Sequence, residues 1–337
     1  MFFVPLLYSF LLTVLTLASP LPTALEAPTL VPRGADRVPI LLGANFPDPG
    51  FIRTSTGWHA FSTNARINNN WTHVQYASTP DWKNWYFTSG QDAMPTLASW
   101  IDPSSPRVWA PDVNVLPDGT YIMYYCAALQ SQTNLHCVSY ATSKNVQGPY
   151  VDSSSSPFIC PQSTGGAIDP AGFFDAKTNK RYVVYKVDGN AIGHGGECGN
   201  TVPPIVGTPL LLQQVSTDGF TKLGSPVQLI TNEESDGPYV EAPSLSYLNG
   251  KYILFYSPQC YLTSKYSVSY ATSDSITGPY TRAANSLFST GSDGMVAPGG
   301  LDIAVNGDHA MWHANYGLGR AAYTGILKLS GGVVTAT

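Results

Sequence analysis

Charged side chains are scarce in this sequence. Asp, Glu, Lys and Arg make up 12% of the chain, and its 17 Lys and Arg residues leave a formal net charge of -5. A surface that binds nucleic acid needs a dense patch of positive charge to neutralise phosphates. So few basic residues cannot supply such a patch, and we therefore expect no nucleic-acid partner.

Long apolar runs are almost lacking too, with one at residues 1–18 and no second run of membrane-spanning length. This run contains Pro5 and Ser9 and ends in the small residue Ala18, a pattern typical of a secretion signal. A membrane anchor is the alternative, although the interruptions disfavour it. The Pro-rich residues 19–38 predict a leader or propeptide-like linker. We expect a secreted, extracellular protein without a membrane partner.

Cysteine is sparse as well, with five residues and no C-x-x-C pair, which argues against a zinc site. An odd number allows at most two disulfides and leaves one thiol free. Cys126 lies in the apolar run YIMYYCAA, and we predict that it is this buried free thiol. The pairing of the others stays open at this point. Disulfides and the glycosylation sequon at Asn70 both fit the secretory route.

Glycine, proline and tyrosine, in contrast, are abundant, and the chain repeats itself. Residues 138–150 (VSYATSKNVQGPY) and 268–280 (VSYATSDSITGPY) are almost the same, and residues 74–86 and 212–223 are weaker versions. A second pattern places a Pro beside an acidic or small residue, followed by a strand, a turn and an aromatic strand. It occurs at residues 48–63, 110–127, 169–187, 241–257 and 297–314. Five repeats are therefore present.

The repeats have the size and turns of propeller blades. Asp118-Gly119, Asn249-Gly250 and Asn306-Gly307 are dipeptides that favour tight hairpins. Each unit supplies about four strands over roughly 55 to 70 residues, as a blade does. A solenoid is the alternative, but it needs distinct capping units, whereas a strand-like tail at residues 321–329 can close a ring. We predict an all-β, single-domain, five-bladed β-propeller at residues 39–337.

Acidic residues recur where the innermost strand of each blade begins. In a propeller these positions converge at one mouth of the central channel. They carry Asp48, Asp112, Asp169 and Glu241, and then Gly299 and Gly300. Local capping of loops explains any one acid alone, but it does not require the same place in each repeat. Glycoside hydrolysis needs opposed carboxylates, one protonated and one ionised, and a third can separate their pKa values.

Four segments resemble the signature of glycoside hydrolase family 43. They are NFPDPGF (45–51), VWAPDV (108–113), AIDPAGFF (167–174) and VEAPSL (240–245), in the family's order and spacing. That family comprises five-bladed propellers, mainly α-L-arabinofuranosidases, β-xylosidases and arabinanases. The resemblance implies an inverting mechanism without a required cofactor. Asp48 would be the general base, Glu241 the general acid, and Asp169 the residue that raises the pKa of Glu241 and holds it.

The resemblance also implies substrate contacts and one ion. The substrate-binding residues would be Trp109, Ala110, Asp112, Ile168 and Arg320. Core packing is the alternative for Trp109, and a plain surface position is the alternative for Arg320. His313 matches a histidine that binds calcium in some members, partly through water, so the resemblance implies a structural calcium ion at this residue. A hydrogen-bonded core histidine is the alternative there.

Two departures affect the expected substrate. Some members read Gly-Pro-Gly-His where this chain has Ala-Pro-Gly-Gly at residues 297–300, and the chain stops before the C-terminal β-sandwich that β-xylosidases often carry. We therefore expect an α-L-arabinofuranosidase, with β-xylosidase and arabinanase as alternatives. The expected partner is an arabinose- or xylose-containing polysaccharide, bound by a monomer. We interpret the Gly-rich residues 189–200 as a rim loop that shapes the pocket.

Two further functions are alternatives to this one. Enzymes of the invertase and levansucrase type share the propeller, but their Arg-Asp-Pro and Glu-Cys segments are here Ile168-Asp169-Pro170 and Glu241-Ala242. A non-catalytic carbohydrate-binding propeller is the alternative of a different class. It is disfavoured because all three catalytic acids are present.

Overall fold

Short antiparallel strands make up most of the computed structural model, which describes residues 37–41, 44–67, 69–305 and 307–337. The predicted signal peptide at residues 1–18 lies outside the described residues, as does the predicted linker before Arg37. No helix among the described ranges is both long enough and apolar enough to cross a membrane.

Five sheets follow one another along the chain, one for each repeat. The first contains β1 (Gly50–Thr54), β2 (Gly57–Ser62), β5 (Gln75–Thr79) and β6 (Tyr86–Phe87), with a hairpin of β3 (Ala65–Ile67) and β4 (Asn70–Thr72) inserted. The second contains β7 (Trp109–Val115), β8 (Tyr121–Leu129) and β9 (Gln132–Ser143). The third contains β10 (Ala167–Asp175), β11 (Lys180–Val187), β12 (Leu210–Val215) and β13 (Lys222–Ile230).

The last two sheets have the same order. The fourth contains β14 (Val240–Leu248), β15 (Lys251–Pro258), β16 (Ser269–Ser273) and β17 (Thr281–Arg282). The fifth contains β18 (Val296–Ile303), β19 (His309–Tyr316), β20 (Gly319–Ser330) and β21 (Val333–Ala336). Short 3-10 turns lie at Gln162–Thr164, Gly189–Ile192, Glu197–Gly199, Glu234–Asp236 and Ser292–Gly294. Four sheets thus have the predicted four strands, and the second has three, extended by a bridge between Thr142 and Val151.

The inner strands form a closed ring. β1 contacts β7, β7 contacts β10, β10 contacts β14, β14 contacts β18, and β18 contacts β1. The segment before β1 also hydrogen-bonds to β20, with Phe46 N 2.7 Å from Arg320 O and Ile40 N 2.9 Å from Ala322 O. The prediction of an all-β, five-bladed propeller is confirmed, and the solenoid alternative is wrong because the first and last repeats meet.

The turns and cysteines follow the sequence closely. At the β14–β15 hairpin, Asn249 and Gly250 adopt φ of 48° and 85°, the left-handed conformation that a tight hairpin requires. Two disulfides form, and Cys126 is a buried free thiol, as predicted. The pairs are Cys137–Cys160 and Cys198–Cys260.

Candidate active site

One cavity of about 310 Å³ lies where the inner strands begin. All eight residues predicted to act in catalysis or substrate binding line it: Asp48, Asp169, Glu241, Trp109, Ala110, Asp112, Ile168 and Arg320. His313 is not among its lining residues. Sequence reasoning missed several residues that line the cavity or contact its acids, chiefly Thr63, Lys186, Tyr261, Tyr266 and Asp302.

A repeated backbone distortion aims the acids into this cavity. In every repeat, the residue before the inner-strand proline has a positive φ between 44° and 53°: Asp48, Ala110, Asp169, Ala242 and Ala297. In the last four repeats this Xaa-Pro pair lies at a register shift between the first two strands. Proline lacks a backbone N–H and is therefore tolerated where the hydrogen-bond ladder between strands is interrupted. A β-bulge at such a point changes the direction of the neighbouring side chains. A rare left-handed residue therefore recurs at each entrance.

This geometry corrects the predicted equivalence of the four acids. Asp48 and Asp169 do occupy the same position, directly before the proline. Glu241 precedes that position by one residue, and Asp112 follows the proline. The acids converge nonetheless, because the bulge turns residues on both sides of the proline toward the axis.

Asp48 is held as an ionised carboxylate. Its Oδ1 lies 2.8 Å from Arg320 Nη1, and its Oδ2 accepts a hydrogen bond of 2.6 Å from Thr63 Oγ1. Burial by itself would raise the pKa of Asp48, but the Arg320 guanidinium and the Thr63 hydroxyl outweigh it and leave the pKa below its ordinary value. Thr63 Oγ1 also accepts from Ala110 N at 3.0 Å, which ties the first two repeats together.

Glu241 is enclosed by two donors. Lys186 Nζ lies 3.1 Å from Oε2, and the Tyr266 hydroxyl donates to Oε1 at 2.8 Å. The residue is only 9% exposed. Burial raises the pKa of Glu241 above its ordinary value, although Lys186 and Tyr266 oppose part of that effect.

Asp169 is the most strongly perturbed of the three acids. Its Oδ2 accepts a hydrogen bond of 2.9 Å from Ala242 N, in the next repeat. Burial and then the negative charge of Glu241 raise the pKa of Asp169 to about 8, while Lys186 opposes the rise. Because two buried carboxyls repel each other when both are charged, the Asp169–Glu241 pair binds one proton at neutral pH.

Asp112 and Asp302 form the floor of the cavity. Asp112 Oδ2 accepts hydrogen bonds from Gly172 N at 2.6 Å and Asn114 Nδ2 at 2.7 Å. Asp302 accepts from Phe51 N at 3.0 Å. Burial raises the pKa of Asp112 to about 6, and burial followed by the nearby Asp112 raises that of Asp302 well above its ordinary value. Both residues also line a cavity of about 1030 Å³, so they separate the two spaces.

Aromatic rings form the wall. Trp109 stacks on His136 with ring centroids 4.0 Å apart and an interplanar angle of 22°. Burial and the nearby Arg107 lower the pKa of His136 to about 4, so the imidazole is neutral at pH 7. Tyr261 is 42% exposed, and the Arg320 guanidinium lies 5.6 Å from its ring centroid. Flat, partly exposed rings of this kind suit the apolar faces of sugars.

The Gly-rich residues 189–200 do not line the cavity, although all of them are described. They act on it through the Cys198–Cys260 disulfide, which joins this loop to the segment that carries Tyr261. Tyr239 reinforces the junction, since its hydroxyl accepts a hydrogen bond of 2.9 Å from Tyr261 N. Residues 189–200 thus contact the segment that carries Tyr261 and do not contact the cavity directly.

The residues do not fit the calcium site considered for His313. Its Nδ1 accepts a hydrogen bond of 3.1 Å from Asp48 N, and burial lowers its pKa to about 3, so the ring is neutral. The single ring proton must then be on Nε2, and a protonated nitrogen cannot ligate a cation. Among the described residues no group of three His, Cys, Asp or Glu side chains could hold a metal. The calcium hypothesis is therefore unsupported.

A family model for the glycosyl hydrolases family 43 matches residues 37–325. The chain belongs to this family. It is therefore a glycoside hydrolase that acts on O-glycosyl bonds, and the resemblance drawn from the four signature segments is confirmed. This membership speaks against both the invertase type and a non-catalytic propeller.

Known relatives agree with the family assignment. This family 43 chain is 27% identical over 283 residues to an extracellular endo-α-(1→5)-L-arabinanase from Bacillus subtilis, covering 79% of each chain. A thermostable family 43 glycoside hydrolase has the same fold with a TM-score of 0.72 and 19% identity, over 90% of this chain and 96% of that one. An endo-arabinanase from Bacillus licheniformis gives a TM-score of 0.65 at 22% identity, over 89% and 99%.

Proposed function

We propose that this glycoside hydrolase is an inverting arabinanase that cleaves internal α-1,5 bonds of arabinan. The separation of pKa values among its three acids carries the mechanism. Asp48 has a lowered pKa and the Asp169–Glu241 pair a raised one. Groups whose environments push their pKa values apart suit the roles of base and acid.

The reaction follows from these states. Asp48 takes a proton from a water molecule as the water oxygen attacks the anomeric carbon. Glu241 gives its proton to the glycosidic oxygen as the bond between that oxygen and the anomeric carbon breaks. Asp169 keeps a proton available to Glu241 because their charges repel. The products are a new reducing sugar and a free hydroxyl, and the enzyme returns to its first state when a proton passes back.

The choice of arabinanase rests on the relatives. The B. subtilis relative is named an extracellular endo-arabinanase and is matched over most of both chains. This favours the arabinanase alternative over the α-L-arabinofuranosidase expected from the sequence. Product sizes from linear arabinan test the choice: short oligosaccharides from the start mean internal cleavage, whereas arabinose alone means removal of terminal sugars. Release of xylose from xylan instead would contradict the proposed substrate.

Two variants test the assigned acids. We expect Asp48→Asn to lose about 10²- to 10⁴-fold in kcat while still binding arabino-oligosaccharides. Glu241→Gln should lose more on arabinan than on substrates with an aryl leaving group, which needs little protonation. Near-normal turnover by Asp48→Asn, with folding checked by circular dichroism, would show that another group is the base.

Inversion is tested on the product. Proton NMR of the first oligosaccharides released should show the β anomer, because the α bond is attacked from its opposite face. Initial release of the α anomer would mean retention, and then a nucleophilic carboxylate would replace the general base. Secretion is supported by the same relative's name and is tested by the N-terminal sequence of the protein recovered from culture medium.

A further inference from the structure

Lys186 is a buried cation with no role in the mechanism above. It lies in β11, and its side chain is 0% exposed. Its Nζ is 3.0 Å from Asp188 Oδ1 and 3.1 Å from Glu241 Oε2. The ring of Tyr239 closes a third side, with its centroid 4.3 Å from Nζ. A buried ion pair with such short contacts holds its members in place, because removing one partner would leave the other as an uncompensated buried charge.

The second oxygen of Glu241 meets a different kind of group. The Tyr266 hydroxyl is 2.8 Å from Oε1, and Tyr266 also lines the catalytic cavity. Gly299 makes room for this ring, because a Cβ at Gly299 would lie only 1.9 Å from Tyr266 Cε1. Oε1 is thus the carboxyl oxygen whose partner borders the substrate space.

Lys186 and Tyr266, the two partners of the Glu241 carboxyl, differ in charge and in hydrogen-bonding capacity. An ammonium group has three donors and no acceptor, whereas a tyrosine hydroxyl both donates and accepts. A proton on Oε2 would therefore face a cation that cannot accept it, whereas Oε1 accepts one hydrogen bond from a neutral hydroxyl and can still carry a proton directed toward the cavity. The side of Glu241 that carries the proton is set by this asymmetry.

We infer that Lys186 is a positioning residue that places the transferable proton of Glu241 on Oε1. The inference rests on the proposed function, in which Glu241 is the general acid. When the O–H bond at Oε1 breaks and the proton passes to the glycosidic oxygen, the electron pair stays on the carboxylate. Lys186 remains bound at Oε2 and stabilises that charge without exchanging a proton itself.

Several charged and titratable groups face Glu241. Lys186 lowers the pKa of Glu241 and, from the same position, that of Asp169. Asp188 acts in the opposite direction and raises the pKa of Glu241. Tyr239, Tyr266, Arg320 and Asp169 also interact with the Glu241 charge, and Asp48 acts on Asp169. Lys186 and Asp188 are therefore expected to shift the acid in opposite senses.

The test compares Lys186→Met with Asp188→Asn by the pH dependence of kcat/KM on arabinan. Lys186→Met removes a positive charge and so favours protonated Glu241. The basic limb of the kcat/KM profile should therefore move up by about one pH unit. Removing the Asp188 charge favours the carboxylate, so the basic limb should move down. General disturbance of the fold does not produce opposite shifts. Lys251→Met, which breaks the exposed pair with Asp274, is the control and should leave the profile unchanged.

A rate measurement complements the profile. Lys186→Met should lose about 10- to 100-fold in kcat on arabinan and less on an aryl arabino-oligosaccharide, because only the first depends on the acid. If Lys186→Met does not fold, Asp188→Asn and the double variant Lys186→Met/Asp188→Asn carry the test. Unchanged basic limbs in the folded variants overturn the inference. Normal activity of Glu241→Gln on arabinan would instead overturn the proposed acid.

Discussion

The Arg320 guanidinium lies 2.8 Å from the Asp48 carboxylate, although 272 residues separate the two in the chain. Arg320 is in β20 of the last blade, and Asp48 lies two residues before β1 of the first. Closure of the ring therefore assembles the proposed base: a carboxylate from one end of the propeller is kept ionised by a cation from the other.

Replacing this cation should shift the pH range of activity. In Arg320→Met the pKa of Asp48 is expected to rise, because burial then acts without its main opponent. The base would be protonated at a higher pH, so the acidic limb of kcat/KM should move up. Arg320→Lys should shift the acidic limb less, because lysine keeps the positive charge although it lacks the planar, multiply donating guanidinium. An acidic limb that stays in place in Arg320→Met would show that Arg320 does not tune Asp48.

Trp109 can serve the substrate or the core, and one variant separates the two roles. If it forms the sugar wall, Trp109→Ala should raise KM about 10-fold with a small change in melting temperature. If it mainly packs the interior, the same change should cost about 3–5 kcal/mol of stability and leave KM near normal. Steady-state kinetics and thermal unfolding on one preparation distinguish these results. His136→Phe, which keeps a ring behind Trp109, is the matched variant.

The floor acid Asp112 should make stability depend on pH. Its folded pKa of about 6 lies above its ordinary value of 3.8. For a carboxyl whose pKa is raised by folding, the folded state is favoured below the ordinary pKa, and this contribution is lost as pH rises toward about 6. Asp112→Asn should therefore make the unfolding free energy fall less steeply between these pH values, while Asp169, Glu241 and Asp302 keep their own contributions. An unchanged slope in urea unfolding series would contradict the assignment to Asp112.

The Cys198–Cys260 disulfide should matter for substrate binding as well as for stability. The variant with both cysteines changed to Ala is expected to raise KM, because the segment carrying Tyr261 loses its tie to the rim loop. The control is the same change at Cys137 and Cys160, which should affect stability without a matching rise in KM. Removal of a disulfide typically costs about 2–5 kcal/mol. Equal KM effects in both variants would argue for a general loss of order.

The sequence predicted the parts of the site that recur. Asp48 and Asp169 stand directly before a proline in the first and third repeats, and that repetition identifies them. Lys186 has no equivalent in the other repeats, and only its position at the end of the apolar run YVVY sets it apart. Its pairing with Glu241 joins two different blades and depends on the register of β11, which no local pattern reveals. No local pattern reveals Tyr266 either, because the space for its ring is provided by Gly299, 33 positions later in the chain.

The segment before β1 is fastened to the last blade from Arg37 onward. Arg37 N donates to Asp293 O, its side chain donates to Thr324 O at 2.8 Å, and its guanidinium lies over the Trp312 ring. These contacts, with those of Ile40 and Phe46, fasten the first blade to the last. If the predicted leader is removed, we expect the cut to lie before Arg37, because cleavage farther along would break the contacts that bring Arg320 to Asp48.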